Sequence, residues 1–153
     1  MPHVDNIPQD PQALAEAVAA SMWARDRAAQ ALGMQIDSVG PGRAMLSMKV
    51  RSDMVNGHHI CHGGLIFSLA DTAFAYACNA YNRNTVASGC SIDFVAPGME
   101  GDTLQAEAQE RSLSGRTGVY DITVRDSAGK TLALFRGKSY RIAGEVIGND
   151  QQA

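Results

Sequence analysis

The chain is expected to fold as an α+β domain in which one curved antiparallel sheet wraps around a long central helix, with a further helix at the N-terminus. Three observations predict it. Residues 63–81 form a helical run of mostly apolar or small side chains in which Asp71 is the sole charge, and a helix apolar on nearly all sides is a buried one. Two runs before it and four after it alternate apolar with polar residues, the pattern of half-buried strands. The turn residues between those runs are few, which suits antiparallel neighbours.

The elements follow in order. Asp10 and Pro11 read as the N-cap and first position of a helix over residues 11–32, since the carboxylate can accept from free amides and proline needs no amide there. Leu14, Val18 and Met22, with Ala15, Ala19 and Trp23, recur at i+4 along one face, and Gly33 is a fitting stop. This amphipathic helix is expected to lie across the outside of the core. Residues 34–39 and 43–50 form a hairpin about Gly40-Pro41-Gly42, with Ala44, Leu46, Met48 and Val50 on one face. A loop over residues 51–62 leads into the helix at 63–81.

Strands are then expected over residues 85–96, 103–111, 117–125 and 131–142. Leu104, Ala106 and Ala108 alternate with Gln105, Glu107 and Gln109, and Tyr120, Ile122 and Val124 with Asp121, Thr123 and Arg125. Their separators are Pro97-Gly98 through Gly101-Asp102, Ser114-Gly115, and the stretch 126–129. No repeat or linker interrupts the chain, so residues 11–143 read as one domain, with a tail at 1–10 and a polar, frayed tail at 144–153.

Composition narrows the function classes. A 153-residue chain is one domain's worth, able to bury roughly 70% of the surface its unfolded form exposes. The formal net charge of −3 argues against broad nucleic-acid binding, which needs clustered cations facing phosphate. Nothing resembles a signal peptide or a membrane span, so a cytoplasmic protein is expected. Three cysteines without a CxxC pair give no disulfide framework.

The stretch 56–71, NGHHICHGGLIFSLAD, concentrates the chemistry. An ionised carboxylate is costly to bury without a partner, so Asp71 is expected to have a task; a purely structural Asp71 would need a hydrogen-bonding partner in the sheet. Gly63 and Gly64 open the helix where its first amides lack acceptors, the outline of an anion or oxyanion site. Such amides and a carboxylate on one segment point to acyl transfer or proton abstraction. Yet eight residues at 1.5 Å each separate Gly63 from Asp71 by about 12 Å along a straight helix. One carbonyl group cannot touch both, so the spacing predicts, if both act, a site shared between two copies of the chain related by a two-fold axis.

Blander readings apply nearby. His58, His59, Cys61 and His62 look like metal ligands, but no second segment supplies partners at the usual spacings. Cys61 beside His62 could be a nucleophile and base, although sequence neighbours seldom face each other; Cys78 and Cys90 read as packing residues. Arg116, with Arg111, Arg136 and Lys138 on neighbouring strands, is a candidate for the phosphates of an extended ligand, or a set of solvated strand-end cations.

Asn56, His62-Gly63-Gly64 and the Leu65-to-Asp71 run that follows resemble the hotdog-fold acyl-CoA thioesterases, most closely the phenylacetic acid degradation subgroup, PaaI. The resemblance spans about residues 23–142 and takes in Ser91-Ile92-Asp93-Phe94, the Pro97-Gly98 to Gly101-Asp102 turn and the Gly115-Arg116-Thr117 hairpin. It implies the hotdog fold and hydrolysis of an acyl-CoA to acid and free coenzyme A. It implies Asp71 as nucleophile or general base, the Gly63 amide as the group polarising the thioester carbonyl, Asn56 positioning water or substrate, and His62 hydrogen-bonding the thioester. Gly64, Ser91, Arg116, Thr117 and Phe67 are implied on the substrate and CoA side. No metal or redox cofactor is expected, coenzyme A being part of the substrate. Expected partners are an acyl-CoA and further copies of the chain, a dimer as active unit and a homotetramer as assembly, with no nucleic acid and no membrane.

The subgroup implies an aryl-acetyl-CoA substrate, with Phe67, Phe74 and Tyr81 either contacting the aryl group or filling the core. Two other classes remain open, since hotdog domains also serve as acyl-thioester hydratases or dehydratases and as acyl-CoA-sensing modules. The first would pair His62 with Asp71. The second expects an added DNA-binding segment, which an acidic chain with one N-terminal helix does not supply.

Overall fold

A computed structural model of the chain describes residues 6–148. Its first helix, α1 (Pro11–Trp23), begins as expected, with Asp10 accepting from the Ala13 amide at 2.9 Å and proline in the first turn. It buries Ala15, Val18 and Ala19 across the first strand. The single helix expected over 11–32 is instead two, because Asp26 starts a second one, α2 (Arg27–Ala31), by accepting from the Ala29 amide at 3.2 Å. Its other carboxylate oxygen takes the hydroxyl of buried Tyr76 at 3.2 Å, which pins the break against the central helix. Gly33 then ends the helical stretch in the left-handed region, φ 69°.

β1 (Gln35–Gly40) and β2 (Arg43–Lys49) form the hairpin, and α3 (Gly63–Cys78) is the central helix. β3 (Thr85–Phe94), β4 (Thr103–Ser114), β5 (Thr117–Arg125) and β6 (Thr131–Arg141) follow. α3 ends three residues before the expected 81 because Asn79 takes over its last hydrogen bonds: Nδ2 donates to the Ala75 and Thr85 carbonyls, and Oδ1 accepts from the Thr85 amide at 3.0 Å. The helix is thereby tied to the start of β3.

The six strands make one antiparallel sheet in the order β1-β2-β4-β5-β6-β3. Leu46, Met48, Leu104, Ala106, Tyr120, Ile122, Val124 and Phe135 from its inner face pack on Ile66, Leu69, Ala73, Phe74 and Ala77 of α3. At Gly137 the sheet comes so close that a Cβ would stand 2.8 Å from the Phe74 ring, and glycine is what lets helix and sheet meet there. Outward residues of β6, Leu134, Arg136, Lys138 and Tyr140, alternate with buried ones.

β3 is an edge strand paired only with β6, and from Val86 to Phe94 all but half-buried Ile92 are exposed. A long, apolar, uncovered edge is a template for another strand. The C-terminal stretch expected to fray is held where it is described: Asn82 exchanges two hydrogen bonds with the Ile147 backbone, at 2.9 and 3.0 Å, and the Asn84 amide donates to Gly144. The outer parts of both expected tails, residues 1–5 and 149–153, lie outside the described residues. Among those described, no helix is long and apolar enough to cross a membrane.

Candidate active site

The loop before α3 is built around Asn56. Its amide donates to the Ile60 carbonyl at 2.9 Å, and its side-chain oxygen accepts from the amides of His58 at 2.9 Å and Ile60 at 3.4 Å. A short polar side chain bonding its own backbone two residues on is a standard turn device, and here it holds His59 at φ 60°. The Cys61 amide then donates to Gly98 at 2.8 Å and the His62 amide to Met54 at 2.9 Å, so the loop is stitched down on both sides just before α3 begins.

His62 is the residue before the helix, with an exposed side chain that does not cap it. Its carbonyl already holds the Leu65 and Ile66 amides, at 3.0 and 3.3 Å. Among the described residues the amides of Gly63 and Gly64 have no acceptors, at the positive end of a sixteen-residue helix. Beside them opens a cleft of 520 Å³ lined by Asn56, Ile60, Cys61, Gly63, Ile66 and the segment 94–97, within the usual size of a small-molecule site. The carboxamide nitrogen of Asn56 makes no hydrogen bond among the described residues, so it is free to donate there while its oxygen builds the loop.

Asp71 lies two turns further along the unbroken helix, half-buried, with no hydrogen bond or ion pair among the described residues. Burial holds its carboxyl above the usual value of 3.8. The sheet partner that a structural role would require is not there. Cys78 stands seven residues on, and Cys90 faces α3 from β3, since its register partner is Gly137, against which Phe74 packs. Burial, and then the Asp71 charge, push the Cys90 thiol up. The Asp71 charge is thus felt on the exposed β3 strand.

Other expected site residues fall elsewhere. Ser91 pairs with Arg136 on the outer face of the sheet, while Cys90, paired with buried Gly137, faces inward. Strand alternation decides this, because neighbours on a strand point to opposite faces. The Phe67 ring lies edge-on to Phe135, centroids 5.1 Å apart, as a half-buried extension of the core. Phe74 is fully buried between Tyr120 and Phe135. Tyr81 is no aryl contact at this site, since its hydroxyl is bonded to Glu110 and its ring carries the Arg141 guanidinium.

Arg116 and Thr117 are exposed at the β4–β5 turn. They stand at the opposite end of the sheet from Gly63, because Phe94 touches Gly63 and pairs with Ala133, which in turn pairs with Val124. The seven residues from Thr117 to Val124 span about 24 Å of strand. Arg111 and Arg136 are both engaged by Asp121, at 2.7 to 3.0 Å. Cys61 is buried, its thiol pushed up by that burial and turned toward the His62 carbonyl, which argues against a thiolate nucleophile. His58 is exposed and His59 lies 3.8 Å from Glu100. Among the described residues no three His, Cys, Asp or Glu side chains gather as metal ligands. Two neighbours of the site were not anticipated: Cys90, which read as packing, and Phe94, whose inward position at the end of β3 was legible only from the alternation.

A single antiparallel sheet wrapped around one central helix is the hotdog arrangement. The thioesterase superfamily model matches residues 58–133, and the chain belongs to that family. It is 54% identical over 128 residues to the acyl-coenzyme A thioesterase PaaI of Escherichia coli, covering 84% of this chain and 91% of that one. The structure of the E. coli PaaI protein from the phenylacetic acid degradation operon superposes with a TM-score of 0.88 at 51% identity, over 89% of this chain and 99% of the other. A mutant of the phenylacetic acid degradation protein PaaI from Thermus thermophilus gives 0.74 at 38% identity, over 76% of this chain and 100% of its own.

Proposed function

We propose that the protein hydrolyses acyl-CoA thioesters to the free acid and coenzyme A, with aryl-acetyl-CoA as substrate class and Asp71 as the acting carboxylate. The observation that carries this is Asp71 itself: among the described residues a half-buried carboxylate with no partner, on a helix whose first amides are also unbonded. The thioester carbonyl oxygen accepts from the Gly63 amide, with the exposed Gly64 beside it; such a donor is worth roughly 3–4 kcal/mol at the transition state. As general base, Asp71 takes a proton from water as the water oxygen attacks the carbonyl carbon, the carbon–sulfur bond breaks, and that proton passes to the departing coenzyme A sulfur. As nucleophile, Asp71 attacks the carbon itself and expels the coenzyme A sulfur, and water then hydrolyses the resulting mixed anhydride to the free acid and the restored carboxylate, its proton going to the thiolate. Asn56 offers its carboxamide nitrogen to water or thioester, and the exposed His62 ring a further hydrogen bond. No metal or redox group is needed for these steps.

A dimer completes the site. Phe94 touches Gly63, and Cys90 neighbours Asp71. Four strand residues span about 13 Å, which matches the spacing of Gly63 and Asp71 along α3. Pairing β3 antiparallel with the partner's β3 about Ile92 sets Phe94 beside the partner's Cys90, and thus the Gly63 amide of one protomer against the carboxylate of the other. The uncovered β3 edge supports that pairing. It also turns the Arg116 end of one sheet toward the Gly63 end of its neighbour, the side on which a CoA arm leaves. Exposed Val86, Leu134 and Tyr140 on the outer face give two such dimers apolar surface for a tetramer in the cytoplasm.

Thiol release from phenylacetyl-, hydroxyphenylacetyl-, benzoyl- and medium-chain acyl-CoA, followed with a colour reagent, tests the reading. Free CoA from aryl-acetyl thioesters is expected. Straight-chain thioesters turned over with a much higher kcat/KM than every aryl-acetyl one would remove the aryl assignment alone, whereas an intact thioester in every case would remove hydrolysis and leave hydration or sensing.

A further inference from the structure

The two glycines that open α3 have opposite surroundings. A Cβ on Gly64 would meet nothing within 4 Å, so this flank of the first turn is open to solvent. A Cβ on Gly63 would stand 2.9 Å from Cζ of Phe94 and 3.2 and 3.3 Å from its Cε atoms. The ring thus occupies the space of a side chain at position 63 and roofs the amide from that side. Phe94 is the last residue of β3 and faces inward, paired with buried Ala133. In the single chain it is nevertheless 52% exposed, standing on the uncovered β3 edge and over the cleft.

A thioester carbon held at the Gly63 amide carries two arms, and the surroundings sort them. The CoA arm is long and multiply charged and must stay hydrated, which only the open Gly64 flank allows. The acyl arm then runs the other way, across the Phe94 face into the cleft between Ile60, Ile66 and Pro97, where it leaves water. An aromatic face at the mouth of a cleft between Ile60, Ile66 and Pro97, and against Gly63, gains most from an acyl group that carries a ring of its own.

We infer that Phe94 is a specificity-determining residue, its ring forming the wall that receives the acyl group of the substrate; the inference rests on Gly63 being the oxyanion site of a thioesterase. The test is kcat/KM of wild type, Phe94→Leu and Phe94→Ala on acetyl-, octanoyl- and phenylacetyl-CoA, with melting temperature measured for each. Loss of a ring-on-ring contact is expected to move the phenylacetyl-to-acetyl ratio of kcat/KM by about tenfold. Leucine keeps apolar bulk on Gly63, so a folding defect in the alanine variant does not decide the matter. Ratios that stay within about twofold of wild type in the leucine variant, whether all rates fall together or none does, would overturn the inference, since the ring would then only brace Gly63. A wild type that releases no thiol from any of the three would instead sink the thioesterase reading beneath it, and the two failures are told apart by the wild-type data alone.

Discussion

Asp71→Asn separates a working carboxylate from a structural one. Asparagine has nearly the same shape, and since Asp71 makes no hydrogen bond or ion pair among the described residues, the substitution breaks none. The ionised form is disfavoured by burial, so a neutral amide is expected to leave the fold at least as stable at neutral pH. Removing the last partner of a buried charge pair would by contrast cost about 3–5 kcal/mol. In a chain of this length each kcal/mol moves Tm by roughly 2–4 °C, so a structural Asp71 predicts a fall of about 6–20 °C. For turnover, loss of a positioned general base removes a factor of about 10² to 10⁴, equivalent to roughly 2.7–5.4 kcal/mol of barrier. Calorimetry and thiol release on the same preparation read both quantities. A Tm well below wild type together with near-normal turnover in the folded fraction would refute the reasoning.

Further outcomes follow from the same geometry. The Asp71 carboxyl sits above its unfolded value, so the folded chain holds that proton more tightly; the stabilisation is complete below about pH 3.8 and is lost as pH rises through the folded pKa. A pH profile of kcat/KM should accordingly climb with an inflection above 3.8, and one at or below that value would contradict the desolvated site. Gly64→Ala adds a methyl that meets nothing in the protein and favours helix by up to about 1 kcal/mol. It should hold or raise Tm while lowering kcat/KM, and an unchanged kcat/KM would mean that no substrate approaches this flank. Ser91→Ala should keep kcat within about twofold, because the register places Ser91 outside the sheet; a hundredfold loss would show that its hydroxyl reaches the reaction.

The architecture was legible because the sequence states it redundantly. The solitary acid in an apolar run, the alternation in β4 and β5, and Gly33 as a stop each follow from local rules the fold does not override. The i+4 apolar series ends at Met22 and Trp23, with Asp26 and Arg27 at the next two positions, so the sequence hinted at a break; what fixes it, a carboxylate shared by the Ala29 amide and the Tyr76 hydroxyl, depends on a residue fifty positions away. The early end of α3 depends likewise on Asn79 finding the Thr85 backbone. At the site, the Gly63 and Asp71 spacing could be read from helix geometry alone. Whether Ser91 or Cys90 faces Asp71 could not, because a shift of one residue in strand register reverses every side chain, and the bulge between Ala87 and Gly89 lies within this strand. Arg116 stands at the far end of its own sheet from Gly63, a separation that depends on the length of β5 rather than on any local signal.

A mixed-subunit assay bears most directly on the shared site. Asp71→Asn removes the carboxylate, and Gly63→Pro removes the amide proton at a first helical position that tolerates proline, with Gly63→Ala as the control for crowding Phe94. Denatured together in equal amounts and refolded, the two inactive chains should return about a quarter of wild-type activity, because half of the dimers are mixed and each mixed dimer holds one intact site. If amide and carboxylate served the same protomer, no mixed dimer would hold an intact site, and activity no higher than that of the two parents would contradict a catalytic centre built across the β3 edge.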